Sequence, residues 1–104
     1  SSDLIEIYLV KVMRTIIVDC ENVRTEVDFW SAYIRTVKPD GAQFFGRNLH
    51  AFEDAVLGGG PGWPGECHLH FVNTRPLHSI ESGRFLEMLR GVVQRSAWIK
   101  ICID

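Results

Sequence analysis

The chain has 104 residues, 46% of them hydrophobic and 23% charged, and a formal net charge of -2. That length holds one domain, which buries roughly 65% of the surface its unfolded chain exposes, and the composition excludes fibrous, low-complexity and disordered classes. The weak net charge gives no general attraction to nucleic acid or anionic membranes, so neither is expected as a direct partner.

In chain order, residues 4–10 and 15–18 are rich in β-branched side chains and predict an opening strand, one long or two short. Thr25 and Asp28 then make a capping signal, after which Phe29, Trp30, Tyr33, Ile34 and Val37 recur at helical spacing until Lys38, Pro39, Asp40 and Gly41 stop the helix. The stretch FFGRNLHAFEDAVLG, residues 44–58, offers Asn48 as N-cap and Gly58 as the residue just beyond a short helix over 49–57. Residues 58–65, GGGPGWPG, are too rich in glycine and proline for regular structure and predict a loop. Residues 67–72 alternate a Cys67, Leu69, Phe71 face with a His68, His70, Val72 face, the period of a strand. Ser79 is the expected cap of a helix to about Arg95, with Phe85, Leu86, Leu89, Val92 and Val93 as its apolar stripe. Residues 98–103 close the chain as a strand with Ile99, Ile101 and Ile103 on one face. Strands separated by helices predict a small α/β domain, its sheet largely parallel and reached by right-handed crossovers.

Few residues carry catalytic or metal chemistry. His68 and His70 share one side of a strand, and His50, His78 or a cysteine could add a ligand, but two histidines without a fixed third ligand read as strand residues with hydrogen-bond partners. No metal, cofactor or small-molecule substrate is expected. Cys20, Cys67 and Cys102 are an odd set with no C-x-x-C pair, which fits buried thiols in a reducing compartment. No G-x-S-x-G or H-E-x-x-H is present, and the glycine run at 58–62 leads into Trp63 and Pro64 rather than into a phosphate-binding helix, so the chain does not read as an enzyme. The longest apolar run is broken by Glu6, Lys11 and Arg14, and the opening residues lack a basic n-region and a cleavage site. The expected location is the cytoplasm.

The helix predicted over residues 49–57 is the informative element. Leu49, Phe52, Ala55 and Val56 fall on one side; His50, Glu53, Asp54 and Leu57 fall on the other at i, i+3, i+4 and i+7. Glu53 and Asp54 lie past the first turn, where the helix dipole does not favour acids. Carboxylates beside Leu57, with Trp63 on the adjoining loop, make the composition of a protein-binding face, in which charged anchors stand among groups that exclude water.

This stretch resembles the barstar family of intracellular ribonuclease inhibitors, whose pattern here is YYGENLDALWDCLTGW. The similarity runs upstream through Ile16, Ile17, Val18, Asp19 and Glu21 to Arg24, and downstream through the last helix and strand, covering residues 14–104. Its core is Phe45, Gly46, Asn48, Leu49 and Ala51, in which the glycine, the N-cap and the first buried leucine are required by one turn-into-helix geometry. The resemblance implies a barstar-like domain over residues 13–104, a three-stranded parallel sheet packed against helices. Residues 1–12 stand outside it as an N-terminal extension and candidate extra strand. It further implies a contact surface of Phe44, Phe45, Gly46, Asn48, His50, Ala51, Glu53, Asp54, Leu57, Gly58 and Trp63. In that family an aspartate of this helix enters the ribonuclease active site, and the aligned residue is Asp54. The chemistry is direct, since a nuclease gathers cations around a phosphate and a fixed carboxylate can take that anion's place.

The contact set departs from the family pattern. Phe44 and Phe45 replace two tyrosines, Arg47 an acid, His50 an aspartate, Glu53 a tryptophan and Leu57 a threonine, and Gly91 aligns with a glutamate of the last helix. The loop before Trp63 is longer and the segment 73–82 shorter, so a third helix of the family is reduced or absent. Two readings follow: an antitoxin or immunity-type inhibitor that caps a nuclease active site, or a barstar-like interaction module with a non-nuclease partner.

Overall fold

The computed structural model describes residues 14–97 and 99–104. The strand expected over residues 4–10 and the start of the closing strand at Trp98 lie outside them. Within them the chain is a small α/β domain with three parallel strands in one sheet and three α-helices.

The strands are β1 (Arg14–Asp19), β2 (Cys67–Val72) and β3 (Lys100–Ile103), in spatial order β1-β2-β3. Their register lines up Ile16, Leu69 and Ile101 in one row, and Val18, Phe71 and Ile103 in the next. The alternation read in residues 67–72 is present: Cys67, Leu69 and Phe71 are fully buried, while His68, His70 and Val72 are half-buried on the opposite face. On β3, Ile101 is buried and Ile103 half-buried on the face that Phe71 shares, and Ile99 is buried just before the strand.

Helix α1 (Glu26–Val37) begins at a reciprocal capping box: Asp28 N donates to Thr25 Oγ1 and Thr25 N donates to Asp28 Oδ2, each at 3.2 Å. It ends where Lys38 turns left-handed, ahead of Pro39. Phe29, Trp30 and Tyr33 project from it into an aromatic core. The Phe29 ring lies 5.2 Å from Phe71 on the sheet and 5.0 Å from Phe85, and Trp30 lies 5.6 Å from Phe45 and 5.5 Å from Phe52. Burying several such rings, at about 25 cal/mol per Å² of apolar surface, is the main force that holds helices and sheet together.

Helix α2 (Leu49–Gly58) starts at Asn48, whose Oδ1 accepts from Ala51 N at 2.7 Å. It runs one residue further than expected. Gly58 belongs to the helix, and the left-handed cap is Gly59, at φ 73, whose N–H reaches Ala55 O.

The greater departure is before α3 (Arg84–Arg95). Ser79 does not cap it. Residues Arg75–Gly83 form 3-10 turns broken by a kink, with Ile80 extended and Glu81, Ser82 and Gly83 all at positive φ. Leu77 and Ile80 are drawn into the core there, and this burial outweighs the preference of a serine for a cap. The expected stripe is correct from Phe85 onward: Phe85, Leu86, Leu89 and Val92 are buried, and Val93 packs against them half-buried. Among the described residues no helix is long and apolar enough to cross a membrane.

Candidate functional site

Helix α2 turns its apolar side inward, with Phe52, Ala55 and Val56 at 0% exposure. That fixes its other side outward by the helical period. His50 and Asp54 are exposed there, and Leu57 is 36% exposed at the C-terminal end. No ion pair or side-chain hydrogen bond involves the Asp54 carboxylate among the described residues. Glu53 differs. Arg95, in the last turn of α3, donates to Glu53 Oε2 from Nε at 3.0 Å and also from Nη2. The two acids adjacent in sequence therefore carry different charge to the surface: Asp54 is free and Glu53 is paired. Arg95 had no signal in the sequence, since the contact joins residues 42 apart.

Phe44 and Phe45 part company. Phe44, on the 3-10 turn Ala42–Phe44, is 74% exposed and is the most exposed large apolar side chain described. Phe45 is 6% exposed, its ring packed against Trp30 and Tyr33, so it supports the face from beneath and does not meet a partner through its side chain. Gly46 and Asn48 form the entry to α2: Asn48 Nδ2 donates to Gly46 O at 3.2 Å, and a Cβ on Gly46 would stand 3.1 Å from the Ala51 methyl. Ala51, half-buried, packs against the core at this entry. Gly58 is exposed with open space beside it.

Trp63 is half-buried, its indole packed against the core margin. It shares a shallow groove with Leu57, Gly58 and Glu66, so the apolar and aromatic members of the predicted face do adjoin. A second groove separates α2 from α3, lined by Leu49, His50, Glu53, Met88, Gly91 and Arg95. Met88, at 42% exposure, was not anticipated. Gly91, with no side chain to project into it, leaves this groove unfilled on the α3 side.

The loop after α2 is fastened to α1 and to the turn that follows α1. Tyr33 Oη donates to Gly62 O at 2.7 Å, and Gly62 N donates to Asp40 O at 3.0 Å. Burial pushes the Tyr33 phenol well above its ordinary range, which keeps that donor proton in place.

Elsewhere among the described residues, burial and local hydrogen bonds shift further groups. Burial pushes the Cys20 thiol up to about 11, with Asp19 adding to the effect, and also raises Cys67. Such thiols stay protonated and serve as packing. Asn73 and the Glu21 N–H both donate to Asp19 and hold its carboxyl below the usual range, which ties the end of β1 to the end of β2. No three His, Cys, Asp or Glu side chains among the described residues are grouped to hold a metal ion. Comparison of the chain with protein-family models and with curated proteins finds no match in either.

Proposed function

We propose that the protein is a barstar-like inhibitor of a bacterial ribonuclease, of antitoxin or immunity type, which occupies the nuclease active site with α2 and its flanking loops. The observation that carries this reading is Asp54: an exposed, unpaired carboxylate in mid-helix, one turn before Leu57, which forms a groove with Trp63. A carboxylate so placed can enter a cluster of arginine, lysine and histidine arranged for a phosphate, while the apolar neighbours exclude water and strengthen the interaction. The protein itself performs no hydrolysis, and the buried, protonated thiols of Cys20 and Cys67 suit a reducing cytoplasm.

The test is a titration of the purified chain against a panel of small secreted bacterial ribonucleases with a fluorogenic RNA substrate. Stoichiometric inhibition of one of them by the parent, lost in Asp54→Ala, supports the proposal; no inhibition across the panel counts against it.

One observation favours the second reading, an interaction module with another kind of partner. The pairing of Glu53 with Arg95, and Arg47 and His50 exposed nearby, leave α2 less acidic than its sequence suggests. A partner that is not strongly cationic would fit that weaker field.

A further inference from the structure

Gly91 lies in the interior of α3, where glycine is the least favourable residue after proline, and its φ/ψ are ordinary helix, so no left-handed turn requires it. What the missing side chain allows is the path of Arg95. A Cβ on Gly91 would stand 3.3 Å from Arg95 Nη1, so the guanidinium lies back over bare helix, one turn toward the N-terminus, and from there spans to Glu53 on α2. The Arg95 and Glu53 side chains are 56% and 32% exposed. An ion pair that open to water adds little stability and exchanges readily for another. Its effect is on what α2 presents.

We propose that Arg95 sets which carboxylate of α2 a cationic partner meets: folded across Gly91, its guanidinium occupies Glu53 and leaves Asp54 as the open acid of the helix. This deepens the inhibitor reading and rests on it for its biological meaning. A partner's arginine approaching Glu53 must displace a guanidinium of identical chemistry, bound through Nε and Nη2, or meet like-charge repulsion. At Asp54 it meets neither. Arg95 is thus a specificity-determining residue that admits a partner whose cation reaches Asp54, and resists one whose cation is placed over the groove between α2 and α3.

Methylguanidinium, the isolated head of an arginine side chain, is the direct probe. Titrated into isotope-labelled full-length protein, it should move the side-chain carboxyl resonance of Asp54 and leave that of Glu53 nearly still. In Arg95→Ala both should move. Gly91→Ala, which crowds the guanidinium without deleting it, should act in the same direction and less strongly. A Glu53 resonance that responds in the parent as it does in Arg95→Ala overturns the proposal. With the ribonuclease that the parent inhibits, Arg95→Ala should tighten inhibition about two- to fivefold, the range that an exposed ion pair's worth converts to. The Glu53→Gln/Arg95→Ala double variant should lose that gain. Unchanged or weaker inhibition by Arg95→Ala overturns the proposal. If the parent inhibits no ribonuclease yet shows the methylguanidinium pattern, the inhibitor reading fails and the role of Arg95 at Glu53 stands.

Discussion

The ring of Phe45 fills the space that any side chain at Gly62 would need: a Cβ built on Gly62 would stand 2.4 Å from Phe45 Cδ1. Gly62 also sits at φ 96, where L side chains are strained. Gly62→Ala should therefore destabilise the fold by about 2–4 kcal/mol, combining a disfavoured backbone with an overfilled core. Urea unfolding measures this, and a midpoint equal to the parent's would show that the ring moves aside at no cost. In Gly62→Ala/Phe45→Leu the losses should fall short of the sum of the singles, because the two residues share one space.

Asp54→Ala separates binding from folding. Binding to a nuclease partner should weaken by at least about 2 kcal/mol, the threshold of an interface hot spot, mostly through faster dissociation. Folding stability should stay within about 0.5 kcal/mol, since the side chain is exposed and unpaired. Raised salt should slow association of the parent by screening the carboxylate. Surface plasmon resonance beside thermal melts reads all three quantities, and parent-like dissociation of Asp54→Ala would remove this residue from the mechanism.

Stability should fall on the alkaline side, and the sign follows from which state gives up its proton first. An unfolded cysteine ionises near 9.0 and Cys20 in the fold only near about 11, so its contribution is whole below 9.0 and is lost as pH rises through about 11. The Tyr33 phenol adds a second loss above its ordinary value of 10.0, because ionising it also removes the hydrogen bond to Gly62 O. Unfolding free energies measured across this range should decline less steeply for Cys20→Ala above 9.0 and for Tyr33→Phe above 10.0. Superimposable profiles for parent and both variants would count against the assignment.

Arg47 holds φ 53 immediately before the cap of α2, a conformation glycine adopts freely. Arg47→Gly should raise stability by up to about 1 kcal/mol, the low end of the strain for an L residue there, partly offset by the greater freedom of the unfolded chain. It also removes an exposed cation from the turn that enters α2, so association with a cationic partner should quicken. Differential scanning calorimetry and stopped-flow mixing check the two effects, and a lower melting temperature would contradict the first.

Local chemistry was legible in the sequence and pairing across the chain was not. Thr25 with Asp28, and Asn48 with Ala51, satisfy helix N–H groups within a few residues, so the caps of α1 and α2 could be read directly. The alternation of residues 67–72 likewise follows from a strand with one covered face. Ser79 misled because three consecutive positive-φ residues, Glu81, Ser82 and Gly83, are held by burial of Leu77 and Ile80, a tertiary cause with no local signature. Adjacent phenylalanines gave no means of telling that Phe45 turns inward and Phe44 outward. The outward side of α2 was legible from its period, but the partner of Glu53 was not, since Arg95 arrives from another helix.

Tyr33 and Asp40 grip the glycine loop after α2, and Phe45 pins the turn before it to the same helix α1. The surface carrying Phe44, Asp54 and Trp63 is for that reason a stiff tool rather than a pliable one. A stiff surface forfeits little motional freedom when it docks, so a well-matched target is held tightly by a small area. Such a surface has no way to bend around a poor match, so under the inhibitor reading proposed above a loop stitched down at one glycine would confine the protein to a narrow range of targets.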